Sequence, residues 1–528
     1  MKYSFLFIVM ILFADCSKQS VTLDKPNILF VISDDQSFGH TSFGGSSFIE
    51  TPGFDRIARE GIYFTNAYAG SPGCAPSRSA IVTGRHHWQN EHSGQHASSW
   101  MKKHVPFVDE LSASGYRTGK TGKGVDPFQY ARNDSDSLWR TTNAAGRDYS
   151  SIKYDSHAYE LPSDKISKIN YFENFKEFVN STEKDQPFFF WFGANEPHRA
   201  YEKNSWKKTD KKLSDVTVPE FLPDTDEVRG DMLDYAVEIE WFDSHLQKMI
   251  AYLEDIGELG NTIIIVTSDN GMPFPRAKAN SYEYGAHVPL AIRYPKKFKS
   301  GRTIDDHIQF VDFAPTILDL ANRNPQNMLP ITGTSFVNVL ENKKDETVNG
   351  KRKYSFVGRE RHSCSRHNNL GYPQRAVFTD EFVLIWNMKS QRWPAGAPQR
   401  FSPNDATELL PYYGLDATGT YINKSAFLDV DDCPTKTQLI EEKDSLKLYF
   451  DYSFAKRPEI ELYNTKKDPA CLKNLAELRE FKDIKEELFK ILKEELVETN
   501  DPRVMGENPE IFDTYKRYSK MRKFPEPN

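Results

Sequence analysis

Cys74 lies in the run Ser71-Pro72-Gly73-Cys74-Ala75-Pro76-Ser77-Arg78, and Thr83-Gly84-Arg85 follows it. A lone cysteine is usually a small buried hydrophobe, but one framed by Pro, Ser and Arg at fixed spacing reads as a reactive position. Asp34 and Asp35 form an acidic pair, and Asp269-Asn270-Gly271 is a second polar cluster. Three carboxylates and an amide oxygen are hard ligands, suited to calcium or magnesium and poorly suited to copper or structural zinc. Taken separately, each cluster has an ordinary explanation, a helix cap for the pair and a turn for Asp-Asn-Gly. Arg78, Lys123 and Lys278 are cations of the kind that stabilise developing negative charge, although an isolated lysine is usually a solvated surface charge. Arg276 is close enough in sequence to take the place of Lys278. His198 offers an imidazole able to pass a proton near neutrality, with a core histidine satisfied by backbone as the alternative.

Elements that deliver such residues to one place are legible. Asn27-Ile28-Leu29-Phe30-Val31-Ile32 is a continuous apolar, β-rich run that ends at Asp34-Asp35. Gln186 to Phe192 ends at Glu196-Pro197-His198, and Asn261 to Thr267 ends at Asp269-Asn270. Runs of this kind suit strands buried on both faces of a parallel sheet. Thr51 to Gly61, Phe107 to Ser114 and Gly230 to Ile256 have helical character, so strands alternate with helices. The expected fold is α/β, with a largely parallel central sheet flanked by helices. Ligands in such sheets bind beyond the carboxyl ends of the strands, which is where the three runs place their polar residues.

The run around Cys74 resembles the C-x-P-S-R…T-G-R motif of the type I sulfatases, within the alkaline-phosphatase superfamily, and the resemblance covers nearly the whole mature chain. It implies that Cys74 is oxidised by a maturation enzyme to 3-oxoalanine (formylglycine). One hydroxyl of the hydrated aldehyde attacks sulfur and the other then expels sulfate, covalent catalysis with a built-in release step. The D-D-Q and S-D-N-G motifs imply one Ca²⁺ held by Asp34, Asp35, Asp269 and Asn270 together with the modified Cys74. By the same resemblance Arg78, Lys123 and Lys278 contact the sulfate oxygens, and His198 protonates the departing atom. One position departs from the pattern. Many sulfatases continue as G-K-x-H, whereas this chain reads Gly122-Lys123-Gly124-Val125; His287 and His362 are candidates to replace the missing histidine.

Ser268-Asp269-Asn270-Gly271-Met272-Pro273-Phe274-Pro275 and Gly371-Tyr372-Pro373-Gln374-Arg375-Ala376 are similar to the N-sulfoglucosamine sulfohydrolase branch. Arg359-Glu360-Arg361-His362 resembles its bacterial polysaccharide-degrading members. His287, Arg361, His362 and Arg375 are expected to contact the sugar, since arginine suits bidentate anion recognition; inter-lobe salt bridges are the competing explanation for this cluster. The expected substrate is a sulfated oligosaccharide, favoured as a fragment of an algal polymer such as ulvan, with sulfamate cleavage in heparan fragments as the alternative. A phosphatase or phosphonate hydrolase on the same scaffold usually places Thr or Ser at the nucleophile and His on zinc. A non-catalytic glycan-binding protein is the remaining rival, for which the absent histidine argues.

The chain has 528 residues, 38% hydrophobic and 13% aromatic, with a formal net charge of -7. It is long enough for two unequal lobes, and the charge argues against a nucleic-acid partner; an anionic substrate must be met by a local basic pocket. Lys2 precedes the apolar run Phe5 to Phe13, too short to span a bilayer and fitting a signal peptide. Cys16, followed by Ser17-Lys18-Gln19-Ser20, resembles a lipidated cysteine despite Asp15 before it. The expected organisation is a signal peptide at 1–15, a tether at 16–25, a catalytic domain at 26–385 and a C-terminal α+β subdomain at 386–528. The expected location is the periplasm, or the outer membrane by a lipid anchor alone, of a Gram-negative bacterium. Cys364, Cys433 and Cys471 permit one disulfide and one free thiol.

Overall fold

The computed structural model describes residues 25–518, apart from 131–137, 156–158, 367, 369 and all of 400–425 except 405, 413 and 418. The expected signal peptide, nearly all of the tether and Cys16 lie outside the described residues. In chain order the strands are β1 (Asn27–Ser33), β2 (Ile62–Phe64), β3 (Ala67–Tyr68), β4 (Arg117–Gly122), β5 (Arg147–Asp148), β6 (Phe188–Gly193) and β7 (Thr262–Ser268). Then come β8 (Leu290–Arg293), β9 (Arg302–Ile304), β10 (Ile308–Gln309), β11 (Ser355–Arg359), β12 (Gln374–Phe378), β13 (Phe382–Asn387) and β14 (Ile460–Asn464). Eight of them form one sheet in the order β5-β4-β6-β1-β7-β8-β2-β9. β4, β6, β1 and β7 run parallel, and β8 alone opposes its neighbours.

Alternation along these strands divides the core. Ile28, Phe30, Ile32, Trp191 and Ile265 face one layer, with Ile81 and Val82 of α2 (Cys74–Thr83) and Phe107 and Leu111 of α3 (Phe107–Ala113). Leu29, Val31, Phe190, Phe192 and Val266 face the other. There they meet Phe54 and Ile57 of α1 (Pro52–Glu60), Phe175 of α4 (Tyr171–Asn180) and Phe242 of α5 (Asp226–Asp255). Burial on both faces is why these strands read as unbroken apolar runs, each large side chain contributing about 1.5–3 kcal/mol.

Register aligns the exits. Ser33 lies beside Ser268, Ile32 beside Gly193 and Gly122 beside Gly193. The chain therefore leaves four adjacent parallel strands at Lys123, Ala194, Asp34 and Asp269, on one edge of the sheet.

The antiparallel sheet β11-β12-β13-β14 forms the C-terminal subdomain, packed against Leu488, Leu492 and Leu496 of the helix Lys482–Glu498. Its first strand starts at Ser355, earlier than the boundary expected at 386. That boundary followed the change to turn-rich polar sequence, which begins after three of the four strands have been made.

Candidate active site

The strand ends build a cluster of acids. Asp35 N–H donates to Asp269 Oδ1 at 3.1 Å, and Asn270 Nδ2 donates to Asp35 Oδ1 at 2.7 Å. Oxygens of Asp34, Asp35 and Asp269 all lie within 4.8 Å of one another. Asp35 holds φ at +79°, a left-handed conformation that aspartate tolerates better than most residues. Asp34 Oδ1 and Asn270 Oδ1 are buried and accept no hydrogen bond among the described residues. Leaving a buried acceptor unsatisfied costs about 1–3 kcal/mol, so two such oxygens in one cluster fit a cation that takes oxygen donors.

Three cations balance the acids. Lys123 Nζ lies 2.5 Å from Asp34, Lys278 Nζ 2.6 Å from Asp35, and Arg78 Nε 2.6 Å from Asp269. Arg78 stands one turn into α2 and also donates to Lys123 O and Gly124 O, both at 2.9 Å. Arg276 does not replace Lys278: its guanidinium donates to Tyr452 O and Cys471 O and stacks on Tyr282. Burial would raise the Asp34 carboxyl, but Lys123, His198 and Arg78 hold it well below the usual carboxylate range. Burial, opposed by Lys278, raises Asp35 to about 6.

Cys74 is the first residue of α2 and is 1% exposed. Burial raises its thiol pKa despite the nearby Lys123. Cysteine attacks as the thiolate, which enzymes obtain by lowering that pKa; this site does the opposite, so the unmodified thiol is not poised to react. His198 Nδ1 donates to Arg199 O at 2.5 Å, and Nε2 lies 4.0 Å from Asp35. Burial and Lys278 push its pKa down to about 4. The imidazole is therefore neutral near pH 7, and Nε2 must gain a proton before it can serve as an acid.

These groups open into a cavity of about 520 Å³ lined by Asp34, Lys123, His198, Lys278, His96 and His362, among others. His362 Nδ1 lies 3.2 Å from where a Cβ on residue 73 would stand, so Gly73 lets the ring close onto the turn before Cys74. Of the two candidates for the missing histidine, His362 reaches the cavity. His287 does not: it is wedged between Phe38 and Tyr68, bonds Glu283 and borders a separate hollow. Arg361 stands behind His362 with its Nη1 on Tyr515 O. Asp431, which no motif marked in Asp429-Val430-Asp431-Asp432, lies 3.1 Å from Lys278. Its only sequence signal was an acidic run.

The expectation that Arg375 meets the sugar is corrected. It is fully buried, 2.5 Å from Asp501 and 2.7 Å from Glu360, the inter-lobe salt-bridge reading of this residue. Arg375→Ala is expected to cost about 3–5 kcal/mol in urea unfolding, because both carboxylates lose their counter-ion in the interior. A KM for sulfated substrate that rises tenfold without loss of stability would show instead that Arg375 contacts substrate. Cys364, Cys433 and Cys471 are buried thiols, and the permitted disulfide is absent among the described residues.

The sulfatase family model matches residues 26–323, and one described as the C-terminal part of N-sulphoglucosamine sulphohydrolase matches residues 277–394. Human N-sulphoglucosamine sulphohydrolase is 26% identical over 515 residues, covering 90% of this chain and 91% of that protein. An ulvan-active sulfatase of Formosa agariphila is 27% identical over 527 residues, covering 92% and 77% respectively. A solved protein in complex with its substrate D-glucosamine-2-N,6-O-disulfate superposes with a TM-score of 0.64 at 21% identity, covering 92% of this chain and 100% of that one. A phosphonate monoester hydrolase of Agrobacterium radiobacter superposes with a TM-score of 0.62 at 16% identity, covering 90% and 97%.

Proposed function

Since the chain belongs to the sulfatase family, hydrolases of sulfate esters or sulfamates, we propose that it removes O-sulfate groups from oligosaccharides of a sulfated algal polymer such as ulvan. It does so with a formylglycine made from Cys74 and a calcium ion. The observation that carries this reading is Cys74 at the start of α2, beside buried acids of which Asp34 Oδ1 and Asn270 Oδ1 accept no hydrogen bond among the described residues.

Formylglycine supplies a hydrated aldehyde as the source of the attacking oxygen. Asp34, Asp35, Asp269 and Asn270 would hold a calcium ion, which would supply Lewis acidity toward a sulfate oxygen. The chain's own residues set the field around them. Lys123, Lys278 and Arg78 offset Asp34, Asp35 and Asp269, and Asp431 adds a fourth acid. Four carboxylates, three cations and a divalent ion leave one positive charge, which matches a singly charged sulfate ester. His198, neutral in the free site, gains its proton more readily once an anion lies in the cavity, since a nearby negative charge favours the imidazolium. His362 stands where a base could serve the nucleophile's turn in place of the missing motif histidine.

The ulvan-active relative supports the O-sulfate reading. Sulfamate cleavage in heparan fragments is the second reading, supported by the family model over 277–394 and by the human relative. Sulfate release from defined ulvan oligosaccharides, with none from N-sulfated glucosamine, is the expected result; the reverse pattern sinks the first reading and establishes the second. Because the scaffold also serves a phosphonate hydrolase, aryl sulfate and aryl phosphate should be compared after EDTA treatment. Sulfate turnover is expected to fall at least tenfold and to return with calcium rather than zinc; phosphate turnover revived by zinc would mark a phosphatase. Export, with lipidation at Cys16, is part of the proposal on the strength of the N-terminal sequence, and mass spectrometry of the mature N-terminus tests it.

A further inference from the structure

A second hollow, of about 380 Å³, lies apart from the active-site cavity and shares no described lining residue with it. One wall is drawn from the loop between Ser37 and Phe48, just after Asp35, and the other carries Glu283, Tyr284 and His287. His287 is 6% exposed, with its ring between Phe38 and Tyr68 at centroid distances of 4.0 and 4.7 Å. Its Nδ1 bonds Glu283, whereas its Nε2 and Glu283 Oε2 have no hydrogen-bond partner among the described residues. His40, also 6% exposed, meets Tyr235 Oη at 3.0 Å through Nδ1, and its Nε2 makes no hydrogen bond among them. Buried polar atoms left unsatisfied are costly, so three of them on residues around one hollow call for an occupant that forms hydrogen bonds.

Charge narrows the choice of occupant. The active-site cavity is lined by Lys123, Lys165, Lys278, Arg199 and Arg517, while the second hollow has no Lys or Arg among its described lining residues. Its one carboxylate, Glu283, is already engaged by His287. Burial keeps His40 neutral, pushing its pKa down to about 4. An anion therefore finds no counter-charge here, and a cation finds a carboxylate that is already paired. Phe38, Phe48 and Tyr284 offer apolar ring surface, and a neutral imidazole has one donor and one acceptor nitrogen, either of which a hydroxyl can meet. Gly39 and Gly45 keep the hollow open, since a Cβ on either would meet nothing within 4 Å. Apolar walls with a few convergent polar groups suit a small ligand, and a sugar ring presents both C–H faces and hydroxyls.

We propose that this hollow is an ancillary binding site for an uncharged pyranose unit of the glycan, separate from the site that receives the sulfate. The inference rests on the glycan-sulfatase reading. Ser37 ties the hollow to the acid cluster: its Oγ donates to Tyr284 O at 2.7 Å and accepts from Met272 N at 2.9 Å, two residues beyond Asn270. A sugar held here rests on the loop that leaves Asp35 and braces the Asp269-Asn270 turn. Holding a polymer at a second point raises the effective concentration of its sulfated units at the cavity.

Saturation-transfer NMR and titration calorimetry on the full chain test the proposal. Methyl α-L-rhamnopyranoside and methyl β-D-xylopyranoside are the uncharged probes, with glucosamine and glucuronate as charged competitors. At least one uncharged probe is expected to bind in the low millimolar range, and neither charged sugar should displace it at about tenfold excess, as a hollow without a free counter-charge requires. His40→Gln should weaken binding by about five- to tenfold, the scale of one neutral hydrogen bond. Thr217→Trp, at an exposed lining position, is the second variant if His40→Gln fails to fold; its ring fills the hollow and should abolish binding. The same variant should raise the KM for sulfated polymer about threefold or more while leaving that for a small aryl sulfate unchanged. No binding of either uncharged probe, displacement by a charged sugar, binding that survives both variants, or an unchanged polymer KM in Thr217→Trp overturns the proposal. Sulfate release from the matured wild-type protein judges the sulfatase reading separately: release without sugar binding removes this inference alone, and sugar binding without release keeps the site and removes that reading.

Discussion

Cys74→Ala is expected to reduce sulfate release by roughly 10⁴-fold or more, the scale on which removal of a nucleophile acts, while unfolding stability changes by about 1 kcal/mol. Removing one buried sulfur from the start of α2 leaves the helix and its neighbours in place, so activity and stability should separate. The comparison requires wild type co-expressed with a maturation enzyme, and a Cys74 peptide about 18 Da lighter than unmodified cysteine, as atom counting gives for formylglycine. An unmodified peptide from a fully active protein would mean that the thiol itself, despite its raised pKa, is the nucleophile. Retained activity in Cys74→Ala would remove this residue from the mechanism altogether, and an inactive matured wild type would favour the non-catalytic binding protein.

Asp269→Ala should be damaging in two separable ways. The Arg78–Asp269 pair has no solvent exposure on either side, so deleting the acid leaves a guanidinium buried beside two carbonyls, at a cost of about 3–5 kcal/mol in urea unfolding. Asp269 Oδ1 also receives the Asp35 N–H, and its loss frees the turn that aims a second acid of the cluster. Turnover should fall by at least about 10³-fold, the upper range for losing one electrostatic stabiliser. The double variant Asp269→Ala/Arg78→Met removes the orphaned charge and should recover most of the stability with none of the activity. Recovery of both, or a single variant that stays active, would show that the acid serves only to pair with Arg78.

Three strands of the central sheet, β1, β6 and β7, were readable because they are buried on both faces and so read as apolar runs up to the functional edge, whereas β4, Arg-Thr-Gly-Lys-Thr-Gly and only partly buried, carries no such signal. Asp34, Asp269 and His198 were readable for the same reason, each lying within a few residues of the end of such a run. The helix expected from Gly230 begins at Asp226 with Thr225 as its cap, a shift of a few residues at a polar end where periodicity gives no signal. The cavity walls were less legible. Arg375 and Arg361 are both basic, close in sequence and framed by similar motifs, yet one is paired by Glu360 and Asp501 and the other is not. That difference depends on acids up to 126 residues away, which spacing does not reveal. Asp431 and Arg517 enter the site from loops and the C-terminal segment, where neither period nor motif applies.

The near-complete enclosure of Cys74 fixes a sequence of events in the life of the molecule. Ala279 N–H donates to Pro72 O at 2.7 Å, and His362 rests against Gly73, so both sides of the turn are closed by segments synthesised much later. About 290 residues separate Cys74 from His362, which at ribosomal speeds gives a window of roughly 15–60 s. An enzyme acting on this sulfur must reach it during that interval or in an unfolded chain, because the finished protein presents almost none of it.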